Sequence, residues 1–316
     1  ELFTNALEHL GERLRISEGV TGSLFAAVGT ALPETMVPVI AIFAGTQNAA
    51  VNADIGVGAI LGAPLMLSTL SICLMALSVL RLRGLGGRLR PERSGLVRDL
   101  NVFLLAFLIA AAAMFLPREL HAARIALSML LVTIYIGYVV LTYRASGDLV
   151  EAGHGTAAEE PILLTRFGLK ENLATILLQL LLALLLLAGG AKGFIDGVEG
   201  VSQALGISAL VLSLLIIPIA TELPEKVNSI LWARRGKDTL AFGNITGAMV
   251  FQGTLLPALG ILLTPWQPRP EVLSGIVITL VAAAWLRLNV GANGVRIAAL
   301  LVCGLLYLAY LGIALF

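Results

Sequence analysis

This 316-residue chain has little charge: Lys, Arg, Asp and Glu together make up 13% of it, against 58% apolar residues. With a mean hydropathy of +0.94, too few polar side chains are available to cover a soluble globule, so soluble enzymes and soluble binding domains are excluded. Cysteine is nearly absent. Cys73 and Cys303 both lie in apolar runs, where a thiol behaves as a small hydrophobe, and no disulfide is expected. His9, His121 and His154 are scattered without metal-ligand spacing, so no histidine metal centre is expected. A phosphate-cradling glycine loop, a nucleophile elbow and an HExxH helix are all missing, and nothing signals an enzyme. The formal net charge of +1 supplies no argument for a nucleic-acid partner.

What the chain does have is long uncharged runs. A membrane-crossing helix needs about 20 predominantly apolar residues. Runs that approach or exceed this length are Ile55–Leu80, Leu100–Leu116, Ile125–Tyr143, Asn172–Ala191, Thr239–Thr264, Val272–Leu286 and Ile297–Phe316. Two more, Gly19–Gly45 and Ile207–Trp232, contain carboxylates. Residues Glu1–Leu10 read as the tail of a further helix whose start lies outside this chain. The expected fold is therefore an all-α integral membrane protein on a ten-helix plan. Arginines orient it. Arg13, Arg15, the Arg81–Arg98 cluster, Arg144, Arg166, Arg234, Arg235, Arg287 and Arg296 fall in one set of loops. Little beyond Arg118, Arg124, Lys192 and Arg269 falls in the other. The positive-inside tendency makes the basic loops cytoplasmic and places both termini outside, in a multi-pass protein of a prokaryotic-type cell membrane. For the Arg81–Arg98 cluster, topology and lipid contact are the expected roles.

The chain also repeats itself. Shifted by 191 residues, positions 3–34 align without a gap to 194–225 at eleven identities, among them Glu8/Glu199, Ser17/Ser208, Thr30/Thr221, Pro33/Pro224 and Glu34/Glu225. Further on, GVGAILGA (56–63) pairs with AFGNITGA (241–248). A duplication with five helices in each half inverts the second half, and broken helices then meet near the bilayer midplane. The expected units are 1–145, a cytoplasmic linker 146–171, and 172–316, with motifs at 29–34 and 220–225.

Carboxylates at that depth are costly and face a cavity or a partner. Pro33 and Pro224 remove backbone donors and free carbonyl oxygens just before Glu34 and Glu225. Thr30 and Thr221 stand four residues earlier, on the same helical face. The pseudo-twofold gathers these groups into an oxygen-only cage, which suits a hard cation such as Ca2+. Several residues admit two roles. Glu222 is spaced to share a cation with Glu225 and equally to pair with Lys226. Thr30 and Thr221 serve as ligands or bond their own helix backbone. Gln252 and Asn244 fit the site or act as interhelical polar contacts. Asp54 suits a gate or a helix N-terminal charge. Asp196 and Glu199, with Asn5 and Glu8, fit a helix end or gate.

GTALPE (29–34) and ATELPE (220–225), with RRGKDTLAFGNITGAMVFQ (234–252) after the second, resemble the paired repeats of the calcium/cation antiporter superfamily. The resemblance implies alternating-access exchange of Ca2+ or a related cation for Na+ or H+, with Glu34 and Glu225 as shared ligands. It also implies that the first helix and its counterpart at 172–203 slide across the bundle. The motifs depart from the family pattern. Ala31 and Glu222 stand at serine positions, as do Ala63 and Ala248; Pro64 and Met249 replace asparagine; Leu67 and Gln252 replace the final asparagine or aspartate. Most side-chain oxygens expected around Na+ are thus missing, which makes coupling to H+ alone a competitor. A non-transporting cation sensor on the same scaffold and a passive channel are further candidates. Inorganic cations and the bilayer are the expected partners, no cofactor is expected, and a monomer is favoured.

Overall fold

The structure is a computed structural model that describes residues 2–26, 34, 35, 38, 39, 49–151, 155–158, 160–186, 189, 214, 218, 219 and 221–315. Helix α1 (Leu2–Arg13) is followed by α2 (Glu18–Val20), which Ser17 caps by accepting from the Val20 amide at 3.3 Å and which continues as a π-helix over Thr21–Ala26. Helix α3 (Ala49–Met66) runs through a π-helical turn at Leu67–Ser71 into α4 (Ile72–Arg83). Pro64 lies just before that turn, where its ring removes an amide donor and disturbs the regular ladder. Then come α5 (Arg93–Ala112), α6 (His121–Glu151), α7 (Leu173–Leu186), α8 (Leu223–Arg234), α9 (Asp238–Leu263), α10 (Pro270–Leu288) and α11 (Ile297–Leu315). The first half's last helix runs past 145 into the expected linker.

Among the described residues, six spans are long and apolar enough to cross a membrane: Ala53–Arg83, Arg93–Phe115, His121–Ala145, Asp238–Leu263, Pro270–Leu288 and Ile297–Ala314. They form two triplets with the same order of burial, 78, 44 and 22% in the first and 83, 39 and 33% in the second. In each half, therefore, the first span is the core element and the other two face lipid. Several spans extend beyond the uncharged runs because the charges at their ends are paired. Arg83, at the end of the first span, makes a two-pronged bond at 2.7 and 2.9 Å to Asp238, at the start of the fourth. Arg269, just past the end of the fourth span, donates at 2.8 Å to Asp54, at the start of the first.

These two ties settle the direction of the halves. The fourth span begins where the first ends and ends where the first begins, so the second triplet enters from the opposite face. A two-residue ribbon agrees. Strand β1 (Arg88–Leu89) follows the first span, and antiparallel to it lies β2 (Val295–Arg296), which precedes the sixth. A shared face for those two loops is possible only if the triplets are inverted. Arg83 and Arg88 thus act as structural clamps, Arg88 donating to the Gly294 carbonyl at 3.1 Å, a role beyond topology and lipid contact.

On the same face, α1 is tied to the segment between the halves. Asn5 accepts from the Leu163 amide at 3.1 Å, and His9 lies 2.8 Å from the Glu160 carbonyl. The buried Glu8 accepts from Trp232 Nε1 at 2.8 Å and Lys237 Nζ at 2.6 Å. A charge pair of this kind withstands burial because hydrogen bonds complete it. Asn5 and Glu8 therefore hold the end of α1 rather than reach the midplane.

Candidate cation site

Helix α8 starts at Leu223 because Pro224 fits the first turn of a helix, where no amide donor is needed. Glu222 is its N-cap, and Glu225 sits in the first turn, where the helix dipole favours negative charge. The run that precedes it ends at this restart, so the interruption at Thr221–Pro224 is a helix break. Glu34, from the other half, meets it. Carboxylate oxygens of Glu34, Glu222 and Glu225 lie within 4.8 Å of one another, and all three residues are buried. Both Glu34 carboxylate oxygens and Glu222 Oε2 are sealed from solvent without a hydrogen-bond partner among the described residues.

The neighbours divide the work. Gln252, on α9, donates its amide nitrogen to Glu222 Oε1 at 2.7 Å and leaves its buried Oε1 without a hydrogen bond among the described residues. The Lys226 amide donates to the Glu222 carbonyl at 3.1 Å, but its ammonium does not bond the Glu222 carboxylate. Its ammonium donates at 3.3 Å each to the carbonyls of Pro218 and Ile219, on the chain entering the break. Asn244 holds α9 to α8, donating to the Glu225 backbone carbonyl at 3.0 Å and to Ser229 Oγ at 2.9 Å. Thr221 is buried next to Glu222. Asp54 sits apart, paired with Arg269 at the end of its span. Thr30, Pro33, Ala31, Asp196 and Glu199 lie outside the described residues.

A further buried carboxylate is hidden from a hydropathy count. Asp99 on α5 accepts from Ser23 Oγ at 2.8 Å, Thr246 Oγ1 at 2.7 Å and Tyr138 OH at 3.1 Å, joining the π-helix that continues α2 to α5, α6 and α9. It stands one residue before the uncharged run at Leu100, inside an arginine-rich stretch, and so reads as loop. A signal is nonetheless present. Leu96, Asp99, Leu100, Phe103, Ala106, Phe107 and Ala110 recur at helical spacing and belong to the buried face of α5.

The glycines of α9 make this meeting possible. A Cβ on Gly247 would collide with the Ser23 backbone, and one on Gly22 would press on the backbone of α9. Small residues let the two backbones approach closely.

An inverted pair of five-helix repeats with buried carboxylates from both halves at one point defines a class: an all-α, multi-pass membrane antiporter of cations. The profile of the sodium/calcium exchanger protein family matches residues 1–144 and 175–316, and the chain belongs to that family. The inner membrane protein YrbG of Escherichia coli (strain K12) is 26% identical over 254 residues, 79% of this chain and 71% of that protein. Among solved structures, the sodium-calcium exchanger NCX_Mj superposes with a TM-score of 0.69 at 20% identity, over 98% of this chain and 92% of that one. The H+/Ca2+ exchanger CAX gives 0.69 at 16% identity, over 100% and 78%. The two likenesses establish the fold.

Proposed function

We propose that the protein exchanges Ca2+, or a related divalent cation, for Na+ or H+ by alternating access. One observation carries the reading: Glu34, Glu222 and Glu225, drawn from both repeats, present buried oxygens within 4.8 Å of one another at a helix break. Such a cluster is unstable as bare charge and is what a hard divalent ion requires. Glu34, Glu222, Glu225, Thr30, Thr221 and the amide oxygen of Gln252 are the proposed ligands, with Pro33 and Pro224 breaking the helices that present them. Asn244 supports the site by fixing α8 on α9, and Asp54 closes one end of the core span through Arg269. The units are 1–145 and 172–316 joined by 146–171, which the interruption of the family match at 145–174 supports. The face carrying Arg83, Arg88, Arg235 and Lys237 is cytoplasmic on the positive-inside tendency.

The test is flux. Purified protein in proteoliposomes is expected to take up radiolabelled Ca2+ when an opposing Na+ gradient is imposed at equal pH, or a pH gradient in sodium-free buffer. Whichever gradient drives uptake identifies the counter-ion. Glu34→Gln and Glu225→Gln are each expected to lower uptake to the level of empty liposomes. Conductance that needs no gradient would mark a channel, and binding without flux a sensor. Exchange retained in both variants would remove these carboxylates from the site.

A further inference from the structure

The two halves differ at the site in residues that contact one another. Pro218, Glu222, Lys226 and Gln252 stand where the first half has Ala27, Ala31, Thr35 and Leu67. Gln252 donates to Glu222 at 2.7 Å, and Lys226 donates to the carbonyls of Pro218 and Ile219 at 3.3 Å each. The second half has thus gained an acid, a base and the groups that hold them. An ammonium is expensive here: Lys226 is 4% exposed and lies in the first turn of α8, where the helix dipole opposes positive charge. Three buried carboxylates offset it. Its acceptors are backbone carbonyls at a helix break, the groups that coordinate monovalent cations in carriers with discontinuous helices.

We propose that the Lys226 ammonium is a resident monovalent cation of the transport site, which limits exchange to two monovalent counter-ions per divalent ion and makes it electroneutral. The inference rests on the antiporter reading above. Among the described residues the charge count is short: three carboxylates and one ammonium leave two net negative charges. One divalent ion neutralises them, and so do two monovalent ions. Both loaded forms then cross the low-dielectric barrier without net charge, which is the form a bilayer favours. Without the ammonium, three carboxylates call for three monovalent ions and leave one negative charge beside a divalent ion. Asp54 and Arg269 neutralise each other at the end of the span and do not alter the count.

The experiment measures the equilibrium distribution of radiolabelled Ca2+ in proteoliposomes against imposed counter-ion ratios, with the membrane potential set by K+ and valinomycin. For the unaltered protein, the logarithm of the calcium ratio is expected to rise with slope two and to stay constant between 0 and about −100 mV. Each net charge moved would instead shift the ratio roughly 50-fold over that range. Lys226→Arg is expected to keep the slope of two in whatever exchange it retains, and Lys226→Thr to raise it toward three with a voltage-dependent distribution. A slope of three with a voltage shift in the unaltered protein overturns the resident cation and leaves the antiporter standing. No gradient-driven calcium movement at all overturns the antiporter reading, and the inference with it.

Discussion

Glu34 and Glu225 are legible in the sequence because the duplication repeats Thr, Pro and Glu together, and two equal insertions of a buried acid into apolar runs have few structural uses. The role of Glu222 is not. Spacing along one helix places it equally near Glu225 and Lys226, and only the fold brings Gln252, thirty positions on, against it. The pairing leads to a prediction at this scale. Glu222→Ala alone leaves one net negative charge in the cluster, Lys226→Thr alone leaves three, and the double variant restores two with the residue types that the first half carries. Glu222→Ala is expected to lose apparent Ca2+ affinity by tenfold or more, about 1.4 kcal/mol, and the double variant to recover most of it. Concentration-dependent uptake in proteoliposomes checks this; a double variant as weak as the product of the two singles would show that the pair is not coupled.

At the scale of elements, the π-helix after α2 meets α9 backbone to backbone. Gly247 stands against the Ser23 backbone, and Ser23 in turn donates to Asp99. Gly247→Ala forces the helices apart, and overpacking of this kind costs about 1–3 kcal/mol. It is expected to lower the thermal midpoint of the detergent-solubilised protein and to weaken Ca2+ uptake. Asp99→Ala tests the other member of the contact. It leaves the hydroxyls of Ser23 and Tyr138 buried without their shared acceptor, at about 1–3 kcal/mol for an unsatisfied group, while Thr246 keeps the Phe242 carbonyl at 3.0 Å. Asp99→Asn, which retains an acceptor oxygen, is expected to be milder. Equal midpoints for the two variants would show that the hydroxyls do not depend on Asp99. Helix existence is readable from uncharged length, whereas helix ends are not. Arg83, Arg98, Asp99 and Asp238 interrupt a count of uncharged residues, yet three-dimensional pairing carries them inside helices.

For the whole molecule, two ion pairs fasten the antiparallel core spans at their opposite ends, and they differ in strength. Arg83–Asp238 is two-pronged and largely shielded, whereas Arg269 and Asp54 are 38 and 33% exposed. Arg83→Ala strands a buried carboxylate and is expected to cost about 3–5 kcal/mol. Asp54→Asn is expected to cost about 1 kcal/mol or less, with a loss that shrinks further as salt rises. Thermal midpoints at low and high salt compare the two, and a larger loss for Asp54→Asn would reverse the ranking. Sequence alone determined the solvent, the helix count, the inversion and the paired acids, because hydropathy length, odd repeat number and gapless repetition are properties of order along the chain. Tertiary structure alone decided that Gln252 rather than the Lys226 ammonium bonds the Glu222 carboxylate, that this ammonium turns to carbonyls at the helix break, and that Asp99 is buried among hydroxyls. The first and last depend on which helices touch across tens to hundreds of residues, and the second on carbonyls seven and eight residues back that a helix break leaves open, and no local pattern records either.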